Sequence, residues 1–488
     1  MIPRLFLVTI LLTGAAALAA GPKYKKPEVE VPQAWQSPVP WQTAAPADGL
    51  PKNSWWKLFG DPELDQYEDR ALANNQTLKA ASARLAQAQA FARVTSAGLF
   101  PKANADPSAL RERLSANRPA AGASVAPAAM TQSIFNLPFT LNYEVDLFGR
   151  VRHSLEAANA SLQASAADLE NIHLIVSSEL AADYFQLREL DAEIAVVQKA
   201  IDFQSEGLKL VDRRHQGGAV SGLDVAQQET VLDSSRTQLA LLQQQRAQFE
   251  HAVAALQGLP ASGFKAPVRP LDAQPPAIPV TLPSELLQRR PDVAETERQV
   301  AVANAEIGVA HAAFYPTISL SGGGGTQSSS ISKLLDGPSG VWSLGLSLLE
   351  PIVAGGRNRA RLDQAKAAYD ETVANYRETT LVAFQQVEDA LSGLNTLATA
   401  SDSQGHAVSG AQRSLNLANA RYTGGLVTYL DVITAQEQVL TNERLAAQIQ
   451  GQRLVTDVLL VKALGGGWDD SSLAAVGIKP SARQALQP

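Results

Sequence analysis

The chain contains no cysteine, which removes disulfides, thiolate metal sites and thiol nucleophiles together. Aromatic residues are scarce, at 6% of 488 positions, while Ala and Gln crowd the middle and end, a balance that suits long helices. An excess of basic charge is missing too. The 41 basic residues face 48 acidic ones, so no field favours nucleic acid. The six histidines are scattered. The glycine runs at 322–325 and 465–467 are not followed by Lys and Ser/Thr, so they are not phosphate loops. Acid pairs lie along polar helix faces, where a solvated surface is the default. No catalytic constellation, cofactor or metal site is expected, and an enzyme is not expected.

Long apolar runs are also missing beyond the N-terminus. Arg4 precedes Leu5 to Leu12 (LFLVTILL), and Ala17-Leu18-Ala19 then matches the small-residue pattern cut by signal peptidase. The expected signal peptide is 1–19, followed by an extended segment over 20–63. No later stretch reaches about 18 uninterrupted apolar residues, so any membrane crossing must use strands.

Proline is missing exactly where helices would need its absence. It is dense from Pro22 to Pro62 and from Pro260 to Pro291, and absent over 151–259 and 352–479. Within the second gap, Leu362, Ala365, Tyr369, Thr372, Tyr376, Thr380, Ala383, Val387, Ala390, Leu394 and Leu397 are spaced by threes and fours. Val151, Leu155, Ala158, Leu162 and, further on, Leu187, Leu190, Ile194, Val197 and Ile201 keep the same rhythm in the first. Such helices want partners on one side and water on the other.

The two gaps are copies. Arg214–Val225 (RHQGGAVSGLDV) aligns with Arg421–Val432 (RYTGGLVTYLDV), and Arg150 aligns with Arg357. Both offsets are 207 (421 − 214, 357 − 150). Upstream, Pro101 aligns with Pro316 at 215 (316 − 101). The chain is therefore a tandem duplication, with units over 64–259 and 284–464, a Pro-rich linker over 260–283 and a tail over 465–488.

Each unit places a hairpin before its long helix, at about 101–148 and about 316–350. Phe135, Leu137, Phe139, Leu141, Tyr143, Val145 and Leu147 alternate with polar neighbours, and Trp342, Leu344, Leu346 and Leu348 alternate likewise. A transmembrane barrel with a wet lumen has this pattern, as does a half-buried strand of a soluble sheet. The outgoing strands alternate less, and the biased stretches 115–132 and 323–340 are expected to be hairpin loops. Helices over about 151–214 and 357–420 would run near 96 Å. Shorter helices lead in over 64–99 and 292–314 and return over 223–259 and 430–464. Four strands cannot close a barrel, and open edges are intolerable in lipid. Three copies would supply twelve strands. The expected fold is mainly α, a trimeric α-helical tunnel carrying a 12-stranded membrane β-barrel with four strands per protomer.

These residues resemble the TolC-type outer membrane efflux proteins, the outer membrane factors of resistance-nodulation-division systems. The matching stretches are Gly21–Pro27 (GPKYKKP), Trp55–Pro62 (WWKLFGDP), Tyr143–Arg150 (YEVDLFGR), Arg289–Val293 (RRPDV), Phe314–Pro316 (FYP), Gly356-Arg357 and Ala463–Trp468 (ALGGGW). They occur in family order over nearly the whole mature chain. The resemblance implies the exit duct of a tripartite pump for drugs and small molecules. Its partners would be a homotrimer, a periplasmic adaptor protein, an inner-membrane pump and outer membrane lipid. The exit channel of a type I protein secretion system is a second reading, and a periplasmic coiled-coil adaptor or stalk a third. The family branch carries a lipidated Cys before the Gly-Pro-x-Tyr segment. Here Leu18-Ala19-Ala20 stand there, leaving the barrel to hold the membrane.

Candidate site residues lie at the two Gly turns. Gly217, Gly218, Gly424 and Gly425 suit a tight reversal between helices. The resemblance implies that Gly217-Gly218-Ala219-Val220-Ser221 and Gly424-Gly425-Leu426-Val427-Thr428 meet the adaptor. Asp224 and Asp431 open the returning helices, where the helix dipole favours an acid. By the resemblance, acids here ring the narrow periplasmic gate, with Tyr422 and Arg421 holding it closed. His215 replaces the Tyr in the first copy, and Thr434 stands where relatives often carry Asp.

Overall fold

A computed structural model describes residues 21–36, 54–117, 128–278, 280 and 283–479. The expected signal peptide and most of the first hairpin loop lie outside the described residues.

Asp61 caps the first helix, α1 (Pro62–Asn74), by accepting from the Glu63 and Leu64 N–H groups. Asn75 then ends it and starts α2 (Gln76–Ser96), accepting from the Thr77 and Leu78 N–H groups. One helix over 64–99 was expected. The break belongs to this cap, which leaves the apolar period almost undisturbed. The long helices are α3 (Arg150–Gln216) and α7 (Arg357–Thr423), each of 67 residues and therefore about 100 Å long. They return through α4 (Gly222–Leu256) and α8 (Tyr429–Ala463). Between the copies lie α5 (Pro283–Arg289) and α6 (Pro291–Ala312). The start and end of α7 follow those of α3 by 207 residues (357 − 150, 423 − 216), and α8 follows α4 equally (429 − 222, 463 − 256).

The strands are β1 (Lys102–Ala105), β2 (Ser108–Leu114), β3 (Met130–Val145), β4 (Thr317–Ser328) and β5 (Gly340–Leu349). β1 and β2 both pair with β3, and β3 and β4 pair onward to β4 and β5, all antiparallel. β1 and β2 thus form one outgoing strand interrupted at Asp106-Pro107, where the Asp106 N–H still donates to Pro138 O. Residues 323–328, expected in a loop, continue β4. The run at 322–325 carries no side-chain alternation, yet its backbone is laddered on both sides by Pro138–Leu141 and Val341–Leu344. A Cβ on Gly325 would come within 2.2 Å of Leu137 O, so glycine is what the sheet admits there. β3 likewise reaches back to Met130, inside the other expected loop.

The pairing segregates the two faces. Ile318, Leu320, Leu346, Leu348, Tyr143 and Val145 share one; Ser319, Ser321, Ser347, Asn142 and Glu144 share the other. On the first face Trp342 is 84% exposed and Leu344 74%, an apolar band suited to lipid. No described helix is long and apolar enough to cross a membrane.

Helices and strands stand in one order. α3 packs between α2 and α6, and α6 between α3 and α7, matching β1/β2, β3, β4, β5 above them. The scarce aromatics concentrate at mid-length. Trp55, Trp56, Phe59, Tyr67, Tyr184, Phe185, Tyr376 and Phe384 form one buried belt with Leu180, Val387 and Leu391. Along its flank the N-terminal segment descends as a strap. Gly21 N–H donates to His153 Nε2, Tyr24 binds Glu297, and Trp35 meets Phe384.

Candidate functional site

The end farthest from the strands is built twice from one local code. Arg213, Arg214 and His215 occupy the last turn of α3, where cations complement the helix dipole. Gly218 then adopts φ +74°, and its repeat Gly425 does the same, a conformation costly for any residue with a Cβ. The N–H of Ala219 donates to Arg214 O, and that of Leu426 to Arg421 O, closing both helices in a Schellman-like turn. Gly217, Gly218 and Ala219 are exposed and Val220 half-buried. In the second copy Gly424, Gly425 and Leu426 are exposed and Val427 half-buried.

Both acids act as caps. Asp224 Oδ2 accepts from the Ser221 N–H at 3.0 Å and its hydroxyl at 3.1 Å. Asp431 Oδ2 accepts from the Thr428 N–H at 3.1 Å and its hydroxyl at 2.8 Å. These are reciprocal capping boxes. Asp431 is nonetheless exposed and Asp224 half-buried, so capping one oxygen leaves the Asp431 carboxylate in water. Thr434 Oγ1 donates back to Leu430 O.

The two copies meet through Tyr422. Its ring lies 5.0 Å from that of Tyr429 and 5.0 Å beneath the Arg214 guanidinium. The cation on Tyr422 is therefore Arg214, from the other copy, while Arg421 is exposed. Sequence reasoning missed Arg214, although it is the residue aligned with Arg421. His215 takes a separate role, its Nδ1 bonding to Val220 O at 3.0 Å. Burial pushes the Tyr429 phenol up to about 12. Beneath the turn, Val211, Tyr429, Val432 and Ile433 form a small core. Next to it sit the buried amides Gln204, Gln228 and Gln436. Gln228 donates to Gln204 O at 2.7 Å, but the Gln204 side-chain amide, Gln228 Oε1, Gln436 Oε1 and Tyr422 Oη find no protein partner. Among the described residues no cluster of His, Asp or Glu is suited to a metal.

A repeated set of helical staves, surmounted by strands with an apolar outer band and ending in an exposed double turn, defines a class: the outer-membrane channel tunnels. The family model of the outer membrane efflux proteins matches residues 68–259 and 282–466, and the chain belongs to that family. The pyoverdine export outer membrane protein OpmQ of Pseudomonas aeruginosa is 35% identical, over 88% of this chain and 91% of its own length. Outer membrane protein OprJ of the same organism is 32% identical over 95% of both. Among solved structures, the open state of the Neisseria gonorrhoeae MtrE outer membrane channel is similar at TM-score 0.81 and 29% identity, covering 92% of this chain and 98% of that one. The Campylobacter jejuni CmeC outer membrane channel gives 0.86 at 25% identity, covering 93% and 96%. The protein is an efflux duct of the outer membrane with a long periplasmic portion. It is not an enzyme, and the adaptor or stalk reading falls with the membrane strands.

Proposed function

We propose that three copies of this chain close into one channel that releases drugs and other small molecules from a tripartite pump. A periplasmic adaptor docks on the two Gly turns, and an inner-membrane pump supplies the energy. The observation that carries this reading is the open sheet. Its β1/β2 and β5 strands each leave one edge unpaired within the protomer, an arrangement that lipid does not tolerate and that further copies remove. The names of relatives support small cargo, since they include pyoverdine export and antibiotic and toluene efflux proteins. At the far end, Asp431 from three copies forms an acidic ring, and the Arg214–Tyr422 contact holds the two helix pairs together around it.

The test is complementation. A Gram-negative strain lacking its own efflux duct, given this chain with its adaptor and pump, should regain export of a fluorescent dye and tolerance to the drugs it had lost. Retained dye, with the protein correctly in the outer membrane, would overturn the small-molecule reading.

A further inference from the structure

The sheet carries two charges on the face that lipid would touch. Residues directly opposite in an antiparallel pair share a face, and faces alternate along each strand. In β2, Ala109, Arg111 and Arg113 stand opposite Phe135, Ser133 and Thr131. Even steps along β3 put these on the same face as Tyr143 and Val145, which is the apolar outer one. Glu112, between the two arginines, turns to the other face and accepts from Gln132 Nε2 at 2.7 Å. Both arginines are exposed. Among the described residues neither side chain has an ion pair or hydrogen bond. From Arg113 to Tyr143 the sequence contains no Asp or Glu, so the hairpin supplies no further acid to neutralise them.

Depth fixes what the pair meets. β3 leads into α3 just after Val145, so that end is periplasmic and the Met130 end extracellular. From Val145 up to Phe135 the outward residues are Val, Tyr, Leu, Phe, Leu and Phe. Those ten rises (145 − 135) climb about 23 Å at a tilt near 45°, close to the roughly 25 Å apolar band of an outer-membrane barrel. Arg111 and Arg113 are the next outward residues of β2, roughly 5 and 9 Å above the band. At mid-bilayer an arginine is costly, but at the interface that cost nearly vanishes and lipid phosphates are within reach. The guanidinium fork matches a phosphate through two parallel hydrogen bonds. Outward neighbours on one strand stand about 7 Å apart, so two long side chains can converge on one phosphate.

The duplication separates this pair from the needs of the scaffold. At the offset of 215 (326 − 111, 328 − 113) the second copy has Thr326 and Ser328, on the same outer face. The sheet therefore forms with neutral residues at these positions, and the cations answer to something outside it. We propose that Arg111 and Arg113 bind a phosphate of the phosphorylated glycolipid of the outer leaflet, lipid A, at one site on each copy of the chain. The site lies on the face of the sheet, so pairing of the β1/β2 edge with another copy leaves it open to lipid.

The test titrates the purified full-length protein, stripped of lipid in mild detergent, with lipid A and counts the complexes by native mass spectrometry. Arg111→Gln with Arg113→Gln should weaken lipid A binding by about ten-fold or more. Lys79→Gln, which removes an exposed cation of α2, should leave it unchanged. Dephosphorylated lipid A should bind the parent protein as weakly as lipid A binds the double variant. Inorganic phosphate at the same concentration should not displace lipid A. Equal lipid A binding by parent and double variant would overturn the proposal, and so would undiminished binding of the dephosphorylated lipid to the parent. Displacement by inorganic phosphate would overturn it too, showing an anion site without preference for lipid. The comparison of the two lipids uses the parent protein alone, so it decides the matter even if the double variant fails to assemble.

Discussion

The equatorial belt and the periplasmic tip are packed by different chemistry along the same two long helices. At the belt, Trp55, Trp56, Tyr184 and Phe185 are essentially inaccessible, and two carboxylates there are paired, although Trp56 Nε1 and both Glu68 oxygens have no protein partner. Asp191 is buried and takes Arg188 at 2.7 Å and Arg246 at 2.6 Å, while Tyr184 Oη donates to Asp61 Oδ2 at 2.5 Å. At the tip the core shrinks to a few Val, Ile and Tyr side chains, and several buried amide groups lack protein partners. An interior of large, closely packed apolar side chains resists local opening, whereas one with sparse apolar contact opens at lower cost. The same continuous helix is therefore held most firmly at its centre and least firmly at its lower end.

The largest test of this contrast is at the belt. Asp191→Ala strips the shared carboxylate from two buried or half-buried arginines and should cost about 3–5 kcal/mol. Thermal unfolding followed by circular dichroism should show a large fall in midpoint. A shift within that of a surface substitution would mean that the belt is not where the helices are held most firmly.

A smaller effect, set by pH, comes from an acid on α8. Asp457 is fully buried, neither of its oxygens has a protein partner, and burial pushes its carboxyl up to about 7. The folded protein therefore keeps a proton there that the unfolded chain releases near its ordinary value of 3.8. This group's contribution is full below about pH 4 and is lost as pH rises through about 7. Asp457→Asn should accordingly stabilise the protein by roughly 2–4 kcal/mol at pH 8 and scarcely at pH 4. Equal effects at the two pH values would show that Asp457 titrates in the fold as it does in the unfolded chain.

Much of this was legible in the sequence because proline gaps and a three-to-four apolar rhythm report directly on helix geometry. The long helices begin and end within three residues of the expected positions, since Gly149, Gly217, Gly356 and Gly424 flank them. The duplication was legible for the same reason, as caps and turns recur at one offset. What stayed hidden depends on partners distant in sequence or, at Asn75, on a local cap. The strand through 322–325 is held by its neighbours' backbone and carries no side-chain pattern. The Asn75 break depends on one capping side chain. Arg214 looked like one more cation at a helix end, and only the approach of the second copy places it on Tyr422. Asp431 was visible from the start; the structure shows it as a cap, and the proposed gate makes a different demand of it.

The smallest structural change therefore carries the sharpest functional test. Asp431→Asn keeps volume and can still accept from Thr428, so stability should change by no more than about 1 kcal/mol. In planar bilayers the reversal potential under a salt gradient measures selectivity directly. If the tip is the movable, charge-lined end of the duct, three lost carboxylates should reduce cation preference and weaken block by multivalent cations. A correctly assembled Asp431→Asn channel with unchanged reversal potential and unchanged block would contradict the gate and leave Asp431 as a helix cap alone.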